Sequence, residues 1–260
     1  MRSALKGTVD SYNCLHVLLE SVPQNFSAML EESLKEWEQQ HKAVWVQVPN
    51  SALEGVKICA DLGFYPHHAN DLGVMMAKWL LESPNTLPSY SSHYVGAGGL
   101  VFRGDNEILV VKNNTSPVGV INWRIPGGLV ETTETVLEAA ARETKEETGI
   151  ETSPIGVVAF REKPPFVFNR PDIYFIVLLE ALSFEVTPDY REVLEAKLLD
   201  FKEWIAEDTS NTSRYMLEKV FDNSSESPKQ VFTNKVMLAE EFCFKTPKHQ
   251  STHLCHLTKP

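Results

Sequence analysis

The sequence predicts an α+β fold in two domains, on three observations. Short apolar and β-branched runs alternate with helical periodicities along the chain. Residues 83–92, S-P-N-T-L-P-S-Y-S-S, are rich in Pro and Ser, lack apolar periodicity and place a boundary near Ser89. Beyond them, residues 127–150 read as a glycine turn, a helix and a helix stop, loaded with carboxylates. The expected division is residues 1–89, residues 90–225 and a tail, residues 226–260.

The first domain opens with an apolar run at residues 12–22, strand or buried helix. Residues 26–41 carry Met29, Leu30, Leu34 and Trp37 at helical spacing, with Ser27 as N-cap. A-V-W-V-Q-V-P is a strand stopped at Pro49, and Ser51 opens a second helix that ends at Gly63. G-F-Y-P-H-H-A reads as a strand, and residues 75–81 as a short strand or, equally on composition, a helix. On a strand, His67 and His68 point to opposite faces and do not share a metal.

The second domain starts with strands at residues 95–102 and 107–112 around a G-D-N turn, then a loop, N-N-T-S-P-V-G. W-R-I-P-G-G leads into the acidic helix. Strands follow at residues 155–161 and 172–180. The stretch between them holds three prolines and is expected to be irregular. A turn or short helix, a strand at residues 197–201, a helix at residues 213–221 and a loop at residues 222–230 complete the domain. In the tail, Cys243, His249, His253, Cys255 and His256 match none of the paired zinc spacings, so a loosely held segment is expected.

A net charge of −11 argues against binding duplex DNA or RNA. An anionic substrate then needs local positive charge or a bridging cation. Cys14, Cys59, Cys243 and Cys255 are far apart, which points to a reducing compartment. With no signal-like leader and no apolar run of about 18–20 residues, the expected location is cytoplasmic, with nucleus and mitochondrion open, and away from the membrane.

Glu143, Glu146 and Glu147 share one helix face. Like charges there repel by roughly 0.2–0.5 kcal/mol per i,i+4 pair. A hard cation between them would repay that cost, since carboxylate oxygens suit Mg²⁺, Mn²⁺ or Ca²⁺. Arg142 precedes Glu146 by four residues and can hold it in place. Gly127 and Gly128 form a turn whose backbone can approach a ligand closely, Thr132 or Thr133 can cap the helix, and Gly149 ends it. Val136, Leu137, Ala140 and Thr144 form its buried stripe.

These residues fit the pattern Gly-x5-Glu-x7-Arg-Glu-U-x-Glu-Glu-x-Gly-U through Gly128, Glu134, Arg142, Glu143, Thr144, Glu146, Glu147, Gly149 and Ile150. The stretch resembles the Nudix box, with Thr144 at an apolar slot as a mild departure. The resemblance implies an α/β/α sandwich with a mixed sheet. It also implies Glu143, Glu146 and Glu147 as ligands of Mg²⁺ or Mn²⁺, and Glu143, Glu146 and Arg142 as the catalytic set. Glu192 is an alternative base. The implied reaction is hydrolysis of a nucleoside diphosphate linked to another group.

Up to about residue 225, the chain is similar to the subfamily of the animal antisense basic fibroblast growth factor protein and plant ADP-ribose/NADH diphosphatases. That similarity implies a small α/β acetyltransferase-like first domain. Its expected job is packing or dimerisation, because no Gly-rich pyrophosphate loop stands before a helix. A homodimer is expected. Members of the subfamily show Arg, then His, Phe and Asp after the box. Here Arg161, Phe168 and Asp172 fit, and Pro164 stands where the His would be. Gly127, Gly128, Arg161, Phe168 and Asp172 are the candidate substrate residues, for a nucleotide sugar or dinucleotide such as ADP-ribose or NADH. The rival readings are a nucleotide-binding or regulatory protein with little catalysis and, more remotely, an acyltransferase.

Overall fold

The computed structural model describes residues 5–113, 122–206, 212–243 and 251–257. It divides into two compact units, Met1–Ser92 and His93–Pro260. Most of the predicted loop N-N-T-S-P-V-G lies outside the described residues, as does His249 of the tail.

The first unit runs β1 (Thr8–Val9), β2 (Cys14–Leu18), α1 (Phe26–Gln40), β3 (Ala43–Pro49), a 3-10 turn (Asn50–Ala52), α2 (Glu54–Asp61), β4 (Tyr65–Asn70) and β5 (Gly73–Trp79). Its sheet has the order β1-β2-β3-β5-β4, with β2 and β3 parallel. Alternation along the strands sends Leu15, Val17, Val44, Val46, Val48 and Met76 into a core with Phe26, Leu30, Leu34 and Trp37 of α1. Asn25, not Ser27, occupies the N-cap of α1, and its side chain makes no cap bond.

The two histidines differ from expectation. A register shift between Pro66 and His68 breaks the alternation of β4. The Nδ1 atoms of His67 and His68 therefore lie 2.7 Å apart. His67 bonds the Pro88 carbonyl at 2.8 Å, and His68 stacks on Tyr90 with ring centroids 4.7 Å apart.

The second unit runs β6 (Tyr94–Arg103), β7 (Glu107–Asn113), β8 (Trp123–Arg124), β9 (Gly127–Leu129), α3 (Val136–Thr148), β10 (Thr152–Val167), β11 (Arg170–Ala181), β12 (Val193–Asp200), α4 (Phe201–Ala206), α5 (Thr212–Phe221), α6 (Pro228–Lys235), β13 (Met237–Cys243) and β14 (Ser251–Leu257). The sheet order is β12-β7-β6-β11-β10-β13-β14, with β8 on β7 and β9 on β6. It is mixed, because β6 and β11 are parallel while the neighbouring pairs are antiparallel.

Helix α3 covers one face through Leu137, Ala139 and Ala140 against Ala97, Val101, Val157 and Val177. The opposite face packs Leu100, Ile108 and Ile176 on Phe201, Trp204, Leu217, Phe221 and Phe232 from α4, α5 and α6. Helices on both faces make the expected α/β/α sandwich.

Two expectations need correction here. The proline-rich stretch after residue 161 belongs to a strand, since β10 runs through Pro164 and Pro165, although its pairing there is irregular as expected. Both prolines fall in the register break between Lys163 and Val167, where no ladder bond requires their missing N–H. Residues 228–235 are also not a loose tail. Pro228 at the first turn and the Ser227 cap start α6, and Val231 and Phe232 are buried in the core. Further on, β13 pairs with β10 and β14 with β13, so the chain forms a backbone hairpin at the sheet edge.

Candidate functional site

Helix α3 is capped by Thr135, one turn later than Thr132 or Thr133. The Thr135 hydroxyl accepts from the Glu138 N–H while the Glu138 carboxylate accepts from the Thr135 N–H, a capping box. Gly149 closes the helix with φ 76°, in the left-handed region that favours glycine. Thr144, the departure from an apolar slot, is fully buried without cost to its hydroxyl, which donates to the Ala140 carbonyl at 2.7 Å.

Arg142 ties the helix to the preceding loop. Its Nη2 donates to Glu134 Oε1 at 2.6 Å and to the Leu129 carbonyl at 3.0 Å. Its Nη1 donates to Glu143 Oε1 at 2.9 Å and to Glu146 Oε2 at 2.8 Å. The predicted pair with Glu146 is thus one of three carboxylate contacts. The guanidinium holds the Glu134 carboxyl below its ordinary range. Burial raises the Glu143 carboxyl, Arg142 opposes that rise, and the charges of Glu147 and Glu146 add to it.

Glu147 faces a different cation. Only 4% exposed, it accepts from both Nη atoms of Arg124, in part at 3.1 Å, and from the Gly127 N–H at 3.0 Å. Arg124 also donates to Asn113 Oδ1 at 2.7 Å and to the carbonyls of Ile125 and Gly127 at 2.9 and 3.2 Å. Sequence reasoning missed this residue. The available signal was a cation three residues before the glycine pair, but its partner lies 23 positions further on, in another element.

Tyr174 was missed as well. Its ring fills space left by the absent side chains of Gly96, Gly98 and Gly127. Burial pushes its phenol up to about 12. Gly128 faces the carboxylate of Glu143, and any side chain there would collide with it.

The donor set suits a hard divalent cation in chemistry. Four carboxylates (Glu134, Glu143, Glu146 and Glu147) meet two guanidiniums (Arg124 and Arg142), so as ionised groups they carry a surplus of negative charge. In position the carboxylates are held by the arginines. No three acidic, His or Cys side chains converge on one metal point among the described residues.

Beside this cluster lies a cleft of about 560 Å³, lined by Tyr94, Leu129, Lys163, Pro164, Pro165, Phe168, Arg170 and Asp172. It shares Leu129 with the loop that Arg142 holds. Arg161 pairs with Asp172 at 2.9 Å and sits 5.3 Å from the centroid of the Tyr174 ring. Phe168 is 83% exposed at the hairpin tip, with φ 48°, followed by Asn169 at φ 56°. A two-residue turn with both φ positive favours Asn-Gly, so an aromatic there goes against local preference. The structure thus gathers Phe168 and Asp172 at the cleft, joins Arg161 to Asp172, and keeps Gly127 and Gly128 against the carboxylates. Glu192 is exposed in the turn before β12.

A family model described as NUDIX domain matches residues 92–220, and one described as Nudix hydrolase domain matches residues 5–80. The chain is 35% identical to "Nudix hydrolase 8" of Arabidopsis thaliana over 78% of its own length and 57% of that protein. With "Nudix hydrolase 5" of the same plant it shares 33% identity over 85% of this chain and 76% of the relative. With the human "Nucleoside diphosphate-linked moiety X motif 6" it shares 33% over 68% of this chain and 57% of the relative. The chain therefore spans little more than half the length of some of the relatives it matches. No helix among the described residues is long and apolar enough to cross a membrane.

Proposed function

The chain belongs to the Nudix hydrolase family, and from that premise we propose that it hydrolyses a nucleoside diphosphate linked to another moiety, such as ADP-ribose or NADH, and releases AMP. The observation that carries this reading is the complete acidic helix, held by Arg142 against β9 and bordered by the 560 Å³ cleft. The printed name of the human relative, a nucleoside diphosphate-linked moiety protein, supports the same substrate class.

In this reading Glu143, Glu146 and Glu147 hold Mg²⁺ or Mn²⁺, which supplies charge neutralisation at the diphosphate and a more acidic water. Arg142 keeps Glu143 and Glu146 in place. One of these two glutamates takes a proton as water oxygen bonds to phosphorus and the anhydride P–O bond breaks. Gly127 and Gly128 let the backbone approach the diphosphate. Phe168 stacks on a planar group in the cleft, while Arg161, with Asp172 orienting it, faces anionic oxygens. Residues 1–89, expected to be acetyltransferase-like, serve packing or self-association, and sedimentation velocity on the whole chain tests the homodimer.

The test is AMP release from ADP-ribose and NADH, measured by chromatography with Mg²⁺ or Mn²⁺. Turnover should vanish with chelator and in Glu147→Gln. Activity no greater than that variant across a panel of nucleoside diphosphate compounds would sink the proposal. The arginine-held carboxylates favour one rival, a nucleotide-binding protein with little catalysis. Tight binding without AMP release would identify it.

A further inference from the structure

The most buried carboxylate of the acidic helix, Glu147, is neutralised from within the chain. Both of its oxygens face the Arg124 fork, and that same guanidinium donates to the Gly127 carbonyl at 3.2 Å. A carboxylate and a backbone carbonyl are both hard oxygen donors of the type that binds Mg²⁺ or Mn²⁺. Here one guanidinium takes both. Among the described ion pairs, Arg124 has a single carboxylate partner, whereas Arg142 has three.

The position of Arg124 is fixed independently of Glu147. Asn113 at the end of β7 holds its Nε at 2.7 Å, and the Ile125 carbonyl holds Nη1 at 2.9 Å. Register pairs Arg124 with Val111 and Trp123 with Lys112, so β8 delivers the side chain from the sheet and not from a free loop. The fork is therefore built into the site.

The geometry points to Arg124 as the resident counter-cation of this site, one whose guanidinium would have to give up Glu147 before that carboxylate could serve a divalent ion. Arg124 thus sets metal affinity as a competitor for the Glu147 carboxylate. The inference rests on the metal-dependent reading above and deepens it. Two roles can be separated by sign. If Arg124 only props Glu147 in a binding pose, its removal weakens metal binding. If it competes, its removal leaves a buried, uncompensated carboxylate, which destabilises the metal-free fold and strengthens metal binding.

The experiment is Mn²⁺ titration of the full chain, read by the electron paramagnetic resonance of free Mn²⁺, on wild type, Arg124→Gln and Arg124→Lys. Arg124→Gln should bind Mn²⁺ about tenfold more tightly, a factor on the order of one lost hydrogen bond to a charged group. It should also melt lower without metal and gain more from saturating Mn²⁺. Arg124→Lys keeps the charge but loses the fork, and should fall between wild type and Arg124→Gln. Equal or weaker binding by folded Arg124→Gln overturns the inference.

Should Arg124→Gln not fold, the wild type still decides. In ¹⁵N spectra, the guanidinium signals absent from Arg124→Lys should change from slow to fast Nη rotation at saturating Mg²⁺. No change in those signals overturns the proposal. Absence of Mn²⁺ binding in every form would remove the metal reading itself. Binding is the readout, so failure to turn over a given diphosphate bears on the substrate and not on Arg124.

Discussion

Replacing Gly127 with alanine tests how the glycine loop meets the acidic helix. Gly127 has φ 156°, and a Cβ there would lie 2.5 Å from the Ala97 carbonyl oxygen, 2.5 Å from the Tyr174 hydroxyl and 2.6 Å from the Gly98 Cα. Two of the three obstacles are backbone of β6, an interior strand of the sheet, and cannot turn aside. The loop must move instead, and its N–H then leaves Glu147, which it meets at 3.0 Å. Strained backbone costs about 1–3 kcal/mol, and a lost bond to a buried charge about 1.5–3. Together they take roughly 3–6 kcal/mol from a fold whose total is about 5–15. The melting temperature should fall by roughly 6–24 °C, and AMP release should drop with it. Removing the Tyr174 hydroxyl in Gly127→Ala/Tyr174→Phe relieves one contact of three, so it should restore only a minor part. Denaturant unfolding of the two variants and of Tyr174→Phe alone measures this. A Gly127→Ala protein within about 1 kcal/mol of wild type would refute the argument, as would full rescue by Tyr174→Phe.

Three further outcomes follow from particular residues. Phe168→Gly removes an exposed aromatic from a left-handed turn position, so stability should hold or rise by up to about 1 kcal/mol, while KM for a nucleoside diphosphate substrate rises several-fold at unchanged kcat. Unchanged KM in steady-state assays would free Phe168 of a binding role. Phe232→Ala in α6 should cost about 3–5 kcal/mol in denaturant unfolding, because the ring is fully buried against Phe102 and Phe201; a loss below about 1 kcal/mol would mean the helix is peripheral. Burial pushes the Cys59 thiol from 9.0 up to about 12. The folded state therefore keeps a proton that the unfolded chain gives up. Stability from this group is whole below pH 9 and is lost as pH rises toward 12. Urea unfolding across that range should show the loss in wild type and less of it in Cys59→Ala, and the native thiol should resist a disulfide reagent at pH 8.

The acidic helix was legible in the sequence because its logic is local. Spacing puts Glu143 beside Glu146 and Glu147, Gly149 stops the helix, and four residues separate Arg142 from Glu146, all within a few turns. The sandwich with its mixed sheet followed from the resemblance the box carries. Elements set by distant contacts were not legible. Pro164 and Pro165 read as breakers until pairing with β11 placed them in a register shift, and α6 read as tail until Phe232 found its aromatic neighbours. Arg124 shows the same limit at the site. Composition records a cation, but only the packing of β8 and β9 against α3 brings it to Glu147, 23 positions away. The sequence by itself therefore determined which carboxylates share a helix face, since that depends on backbone period alone. Tertiary structure decided which cation each one meets, since a charge finds its partner through folded distance and not through spacing along the chain.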